Sequence, residues 1–565
     1  MKRHLLLVCF SILLLTLIFA TYKDYGVPWD EKVFFNTGKY YVVKLFNFLN
    51  ISTNLSTGGF EPTFYHLKGH GVFMDVLTVF AGLPFSNFNF ETLHLIRALY
   101  AIPIFLLLYW IVSKLLSKVY GLISIVFLLL FPRFYPEIFY NAVDIPTTLL
   151  FTIFLAYFIY YAQTKQTILK SILFGFILGI TINQRLLLLY LPILNFIFLG
   201  IPVMLNSFQH LNSKARSRNK FGMTNWKSFL LNQFVIFNFS LLTMHLTHPY
   251  LLSHPITGLI DILKSAKQYP WNAAVLFDGQ SYQAGVNPLP WYYLPKTMLI
   301  TIPLIILFLF LIGNIRILFP IIKNQIVRKT SLTPEVRGID VTLYSYILLI
   351  FFTPLVLTFL LKPTLYDSWR QFLFLTIPMI IIAMYGLDWI WSLRHSGKRL
   401  EGAHPESLFK KLRFWTSRND KMMLIWKLVI GIWIFINLGF TAVTMINLHP
   451  LEYLYYNSLV GGLKGAFGKY ETDYWGLSYK EAVLWFNKKV NDPKKQYQIF
   501  AEGDPLSSSY YFKPNTKLTL NVNEADYIFT FTRWNFHLRH PGKTIYTVER
   551  EGVPLIFVKK TLISF

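Results

Sequence analysis

Residues 424–448 read LIWKLVIGIWIFINLGFTAVTMINL, an apolar run long enough to cross the hydrocarbon of a bilayer as a helix. Ten similar runs precede it. They are Leu5–Ala20, Leu95–Ile111, Tyr120–Phe131, Pro146–Tyr161, Ile168–Gln184, Leu186–Leu205, Phe229–Leu246, Lys296–Leu318, Val341–Leu361 and Phe372–Leu393. Tyr120–Phe131 is below spanning length unless its flanks extend it. The chain therefore reads as an all-α polytopic membrane protein with about eleven transmembrane helices. Composition agrees. Of 565 residues, 54% are hydrophobic and 14% charged, against roughly 25% charged in soluble domains. One aqueous core cannot bury that much apolar surface.

The net charge of +25 would suggest a nucleic-acid partner in a soluble protein. Here the basic residues lie between apolar runs, where they orient a chain in a membrane. With the N-terminus in the cytoplasm, the cytoplasmic loops hold Lys114 and Lys118, then Lys165 and Lys170, then Lys214, Arg216, Arg218, Lys220 and Lys227. Lys323, Arg328, Lys329 and Arg337 follow, and then eight Lys or Arg between Arg394 and Lys421. Every cytoplasmic loop is basic, which leaves the C-terminus outside. Met1-Lys2-Arg3 before Leu5–Ala20 also suits a signal peptide, but Ile18-Phe19-Ala20-Thr21 is a poor small-x-small cleavage site. The run reads as a retained first span. Ser207–Trp226, within the insert 205–228, is rich in Asn, Ser, Lys and Arg and reads as a disordered cytoplasmic segment. Cys9 is the single cysteine, so no internal disulfide and no cysteine zinc site can form.

After Leu448 the composition changes. Ser478-Tyr479-Lys480-Glu481 is a capping-box pattern ahead of a helix over Ala482–Val490. Gln496–Phe500, Lys517–Asn521, Asp526–Thr532, Thr544–Glu549 and Pro554–Lys559 read as short strands, with Glu551-Gly552 turning between the last two. Residues 1–448 thus form a transmembrane domain, and 449–565 a part outside the membrane that carries a small α/β domain.

Carboxylates beside a bilayer are costly and tend to be functional. Three exterior positions stand out. Pro28-Trp29-Asp30-Glu31 follows the first span; an Asp-Glu pair is also ordinary in a solvated loop, but it would serve as a general base at the membrane surface. The loop 132–146 carries Arg133, Glu137, Asn141 and Asp144, the last just before Ile145-Pro146, where it suits a helix N-cap as well as a cavity wall. Tyr366-Asp367-Ser368-Trp369-Arg370 offers a guanidinium that matches phosphate oxygens, or simply pairs with Asp367. Arg97 and Arg185, near exterior ends of spans, either snorkel or face the same cavity. His245, His248 and His254 match no strong metal motif. Gly175-x-x-x-Gly179 permits close helix packing. Gly461, Gly462, Gly465 and Gly468 lack the strand and Lys-Ser/Thr of a phosphate loop, and Glu471 and Asp473 read as structural.

The order of these pieces resembles the GT-C membrane glycosyltransferases, and more closely bacterial members of the protein O-mannosyltransferase superfamily, glycosyltransferase family 39. The resemblance rests on five segments in order: Pro28–Glu31, Asn141–Pro146, Leu289-Pro290-Trp291-Tyr292-Tyr293-Leu294-Pro295, Tyr366–Phe372 and His449–Asn457. It implies that Asp30 is the general base, that Glu31 supports it or binds substrate, and that Asp144 organises the site. The donor phosphate would be gripped by Arg97, Arg133 or Arg370. Related chains often carry Lys directly before the second Asp; Val143 stands there here, so another cation must replace it. The implied activity is inverting transfer of a hexosyl or pentosyl group from a polyprenyl-phosphate donor to a protein, lipid or glycan acceptor of the cell envelope. It implies a multi-pass plasma (inner) membrane enzyme that meets membrane lipids and no nucleic acid. The lipid-linked sugar is a substrate, no cofactor is implied, and a divalent metal stays open. A transporter or lipid flippase is the rival reading; it would want inverted repeats or helices broken at mid-membrane.

Overall fold

The computed structural model describes residues 2–63, 71–85, 88–212, 226–267, 273–283, 286–326, 338–392 and 420–562. Each predicted span contains helix: α1 (Lys2–Thr21), α4 (Phe90–Leu115), α5 (Lys118–Leu129), α6 (Asp144–Gln163), α7 (Ile168–Gln184), α8 (Leu191–Asn212), α9 (Trp226–Thr247), the pair α10 (Tyr293–Thr301) and α11 (Leu304–Ile326), α12 (Gly338–Leu361), α13 (Thr376–Ser392) and α14 (Asp420–Leu448). Among the described residues, six helices are long and apolar enough to cross a membrane, and a seventh span results if the bent pair α10 and α11 is counted as one. The chain is a polytopic membrane protein. Burial separates its centre from its rim. In α6 and in the span over 370–392, 78% of the apolar window is buried, against 11% in α14, whose Phe435 and Ile446 face outward. Lipid is the only solvent in which that rim costs nothing.

Glycine permits close contacts between the helices. A Cβ on Gly175 or Gly179 would come within 2.6 Å of Ile236 O or 2.5 Å of Ser240 O, so the Gly-x-x-x-Gly face of α7 lets α9 lie against its backbone. Gly313 and Gly386 do the same for α11 and α13.

The predicted span Lys296–Leu318 is not continuous. It bends by 120° between α10 and α11, because Pro303 has no N–H to donate and pushes Ile302 into extended backbone. The opened carbonyls are taken by Asn457. Its backbone N–H donates to Ile300 O (2.8 Å), and Nδ2 donates to Leu299 O (2.7 Å) and Ile302 O (2.9 Å). The segment after α1, between the first two predicted spans, holds α2 (Glu31–Phe48) and α3 (Phe73–Gly82). Both are amphipathic, and they meet where Gly38 approaches Asp75 O. Helix α8 runs to Asn212, so the first residues of the expected insert are helical. Residues 213–225, 327–337 and 393–419, with most of the basic loops expected to be cytoplasmic, lie outside the described residues.

Beyond the membrane helices, α15 (Tyr479–Lys489) packs on a five-stranded sheet of β3 (Tyr497–Ala501), β4 (Thr516–Leu518), β5 (Tyr527–Phe531), β6 (Lys543–Arg550) and β7 (Val553–Lys560). The order is β4-β3-β5-β7-β6, parallel over the first three strands and antiparallel after. Glu551 and Gly552, both with positive φ, make the two-residue turn between β6 and β7. A second hairpin, β1 (Val275–Phe277) and β2 (Gln280–Tyr282), turns at Asp278-Gly279. Phe486, Ile499, Phe529 and Ile556 form a core of their own, whereas Tyr453, Tyr474 and Trp475 belong to the core of the membrane helices. The hydrophobic division therefore falls near Tyr479, about thirty residues beyond the last span. The capping box does not form. Ser478 has helical dihedrals, and its hydroxyl donates to the Asp473 carboxylate instead of accepting from a backbone N–H of the helix.

Candidate active site

Chain reversals at one end of the helices bring together the segments expected to be exterior. Asp30 occupies the N-cap position of α2 yet makes no capping bond, so its carboxylate stays available. Trp29 beside it slides under Gly476, which has φ of +70° and where a Cβ would fall 2.1 Å from the indole nitrogen. Only glycine satisfies both conditions there.

Asp144 is the first residue of α6 rather than its cap. Asn141 takes the capping role: its Oδ1 accepts from the N–H groups of Val143 (3.0 Å) and Asp144 (2.7 Å). Its Nδ2 bridges Glu137 (2.5 Å) and Asp144 (2.9 Å). Freed from capping, the buried Asp144 carboxylate pairs with Arg185 from the end of α7 and with Arg370 at 3.4 Å.

Arg370 is the hub. Its guanidinium lies 3.2 Å from Asp367, 3.4 Å from Asp144 and 3.6 Å from Asp30, with Trp475 (4.4 Å) and Tyr366 (5.2 Å) against its faces. The segment that presents it is pinned by Tyr293, whose hydroxyl accepts from Ser368 N–H at 2.9 Å, and by Trp369 Nε1 donating to Thr301 at 2.7 Å. This ties two of the sequence segments, 289–295 and 366–372, into one wall.

The carboxyl of Asp30 is 48% exposed although protein surrounds it, the situation of a group on a cavity floor. Desolvation raises its pKa above the ordinary carboxylate value. Arg370 opposes the rise, while Asp367, Asp144 and Asp504 add to it. Burial lifts Glu137 to about 7 despite its bonds from Trp475 Nε1 and Asn141. Glu471 is also lifted to about 7 by burial, with Arg533 opposing.

The remaining sequence candidates fall elsewhere. Glu31 is sealed in an ion pair with Arg97 and lies 3.0 Å from His94, all three buried. Arg133 stacks on Tyr456 and Tyr474 and donates to Tyr474 Oη (3.2 Å) and Tyr455 O (3.3 Å). The fold thus gathers Asp30, Asp144 and Arg370, and commits Arg97 and Arg133 to partners of their own. Arg185, 18% exposed, joins the gathered group. Its signal in the sequence was only a cation near a span end. Arg533, which reaches Asp367, had no sequence signal. Asp473 accepts from Tyr453 and from Leu477 and Ser478 N–H, a structural role. His245 lies against Leu241 O and Pro255 O, and His254 stacks on Tyr250. Among the described residues no three His, Cys, Asp or Glu are placed to hold a metal. A cavity of about 340 Å³ lies between Leu289-Pro290-Trp291, Phe359 and Lys362–Leu365, the last directly preceding Tyr366 in sequence.

Residues 76–213 match the family model described as dolichyl-phosphate-mannose-protein mannosyltransferase. No curated protein matches the chain. In structure, the chain is similar to ArnT from Cupriavidus metallidurans bound to undecaprenyl phosphate, with 13% identity, a TM-score of 0.43, and coverage of 98% of this chain and 97% of that one. It is also similar to the archaeal oligosaccharyltransferase AglB from Archaeoglobus fulgidus, with 10% identity, a TM-score of 0.43, and coverage of 89% of this chain and 61% of that one.

Proposed function

We propose that the chain is a membrane glycosyltransferase of the GT-C type, in the protein O-mannosyltransferase superfamily whose family model matches residues 76–213, and that it moves a hexosyl or pentosyl group from a polyprenyl phosphate to an envelope acceptor. The transfer takes place on the exterior face of the plasma (inner) membrane, with the N-terminus cytoplasmic and the C-terminal domain outside. One observation carries this reading: a half-exposed carboxylate, Asp30, stands 3.6 Å from a guanidinium that two further carboxylates hold in place.

The chemistry follows. Asp30 accepts a proton from an acceptor hydroxyl or amine, and that oxygen or nitrogen bonds to the anomeric carbon. The bond from that carbon to the phosphate oxygen breaks on the opposite face, so the anomeric centre inverts. Lipid phosphate leaves with its electron pair. Arg370 and Arg185 supply the positive charge that stabilises it where water is scarce. They stand in for the Lys that Val143 replaces. Asp144 keeps both guanidinium groups oriented, and Glu31 anchors the start of α2 through Arg97. The prenyl chain lies along the cavity lined by Leu289, Pro290, Trp291, Phe359 and Leu365.

A transporter would use a helix break as an ion or substrate site. The break at Ile302-Pro303 exists, but Asn457 occupies its carbonyls. The deciding experiment incubates purified protein with undecaprenyl phosphates carrying labelled hexoses or pentoses, and with envelope from a deletion strain. Label appearing in envelope material supports transfer. No label in any acceptor, together with flux across liposomes, overturns it.

A further inference from the structure

The hub has a support that comes from outside the membrane domain. Arg533 follows β5 in the C-terminal domain and is buried. Its Nη2 donates to Asp367 at 2.5 Å and to Glu471 at 2.8 Å, and its Nη1 donates to Tyr474 O at 2.9 Å. Its faces meet Trp534 at 4.5 Å and Trp29 at 5.5 Å, and Trp29 immediately precedes Asp30. The Asp367 carboxylate is thus shared: one oxygen faces Arg533 and the other faces Arg370.

Backbone conformation at both ends of this contact is unusual. Asp367 and Ser368 have φ of 55° and 63°, and Trp534 and Asn535 have φ of 55° and 57°. Left-handed non-glycine residues are costly and persist where surrounding contacts fix them. Here the fixing contacts are Tyr293 on Ser368, and Trp534 Nε1 donating to Ala274 O at 2.6 Å. A merely cohesive domain contact would not need two strained pairs facing one ion pair.

We infer that Arg533 is a positioning residue of the transfer site: by holding one oxygen of Asp367 it leaves the Arg370 guanidinium divided among Asp367, Asp144 and Asp30. The C-terminal domain is then a working part of the site. Without Arg533, Asp367 draws Arg370 toward itself, away from Asp30 and from an incoming phosphate. This rests on the transferase reading for its purpose but not for its geometry.

The test needs no turnover. Dicyclohexylcarbodiimide adds to protonated, shielded carboxyls, so peptide mass spectrometry of the Asp30 adduct across pH reads that group's titration. Arg370, Asp367, Asp144 and Asp504 face Asp30, while Glu471 and Asp367 face Arg533. Removing Arg533 leaves more uncompensated negative charge near Asp30. Arg533→Met therefore moves the Asp30 midpoint up by about one pH unit. Asp367→Asn moves it down, and Arg533→Lys gives an intermediate value because one ammonium cannot reproduce the fork. Undecaprenyl phosphate, added to each full-length variant in detergent, binds about tenfold more weakly to Arg533→Met than to wild type. An Asp30 midpoint unmoved in Arg533→Met overturns the inference. If that variant does not fold, an unmoved midpoint in both Arg533→Lys and Asp367→Asn does so. Absence of transfer by the wild-type protein would sink the transferase reading and leave these midpoints to judge the inference alone, whereas normal transfer by Asp30→Asn would remove only Asp30 as the base.

Discussion

Arg370 Nη2 stands 3.6 Å from Oδ2 of Asp30, close enough for strong attraction and too far for a hydrogen bond. The same guanidinium is nearer to Asp144 and Asp367. Asp30 is therefore the least committed carboxylate of the three, as the base proposed for the transfer should be.

Asp30→Asn keeps the size of the side chain and removes its basicity. Transfer falls by about 10²–10⁴-fold, the usual span of general-base catalysis, while yield and melting temperature stay near wild type. The pH profile has a defined sign. Because the folded pKa of Asp30 is raised, the base form accumulates only as pH climbs through a value above the ordinary carboxylate range. The acid limb of kcat/KM sits there. An acid limb at the usual aspartate value would count against Asp30.

Arg370→Lys and Arg185→Met separate the two cations. Loss of the planar fork at Arg370 lowers kcat by about 10²–10³-fold, as for other groups that stabilise developing charge. Arg185, more exposed, acts mainly in grip, and its loss weakens undecaprenyl phosphate binding about tenfold, in keeping with ~1.5–3 kcal/mol for a charge-assisted hydrogen bond. Equilibrium binding with labelled undecaprenyl phosphate decides the second half. Unchanged affinity in Arg185→Met would remove that residue from the phosphate site.

Arg97 was a phosphate candidate by sequence, and the structure joins it to Glu31 in a buried pair. Arg97→Met strands that carboxylate and costs ~3–5 kcal/mol, the usual penalty for breaking a buried ion pair. Adding Glu31→Gln recovers part of the loss, because the two changes are coupled. Thermal unfolding in detergent reads both effects. A normal Tm with lost phosphate affinity would restore Arg97 to the donor site.

His449 bridges the start and the end of the membrane domain, with Nδ1 2.7 Å from Glu452 and Nε2 3.1 Å from Asp24. Tyr25 also donates to Glu452, and Arg550 to the His449 carbonyl. Burial opposes the charged imidazole, but Glu452 and Asp24 outweigh it and hold its pKa above the ordinary value. A raised folded pKa stabilises below the unfolded value, and the effect disappears as pH rises through the folded one. The Tm gap between wild type and His449→Phe is therefore widest near about pH 6 and closes in alkali. A gap independent of pH would show that His449 contributes packing alone.

Sequence by itself determined what depends on local composition and period. The apolar runs mark the membrane helices, and short alternating runs after Leu448 mark the strands of the outer sheet within a residue or three. The motifs also picked out Asp30, Asp144 and Arg370, because acids and cations are conspicuous against an apolar background. It did not determine partnership. Glu31 with Arg97, Asp144 with Arg370, and Asp367 with Arg533 are separated by 66, 226 and 166 residues. Ion pairs carry no periodicity, and any exterior arginine would serve any exterior acid until helix packing fixes which ones meet. Tertiary structure alone sealed Arg97 and Arg133 away, brought Arg185 in from a span end, and carried Arg533 across from another domain.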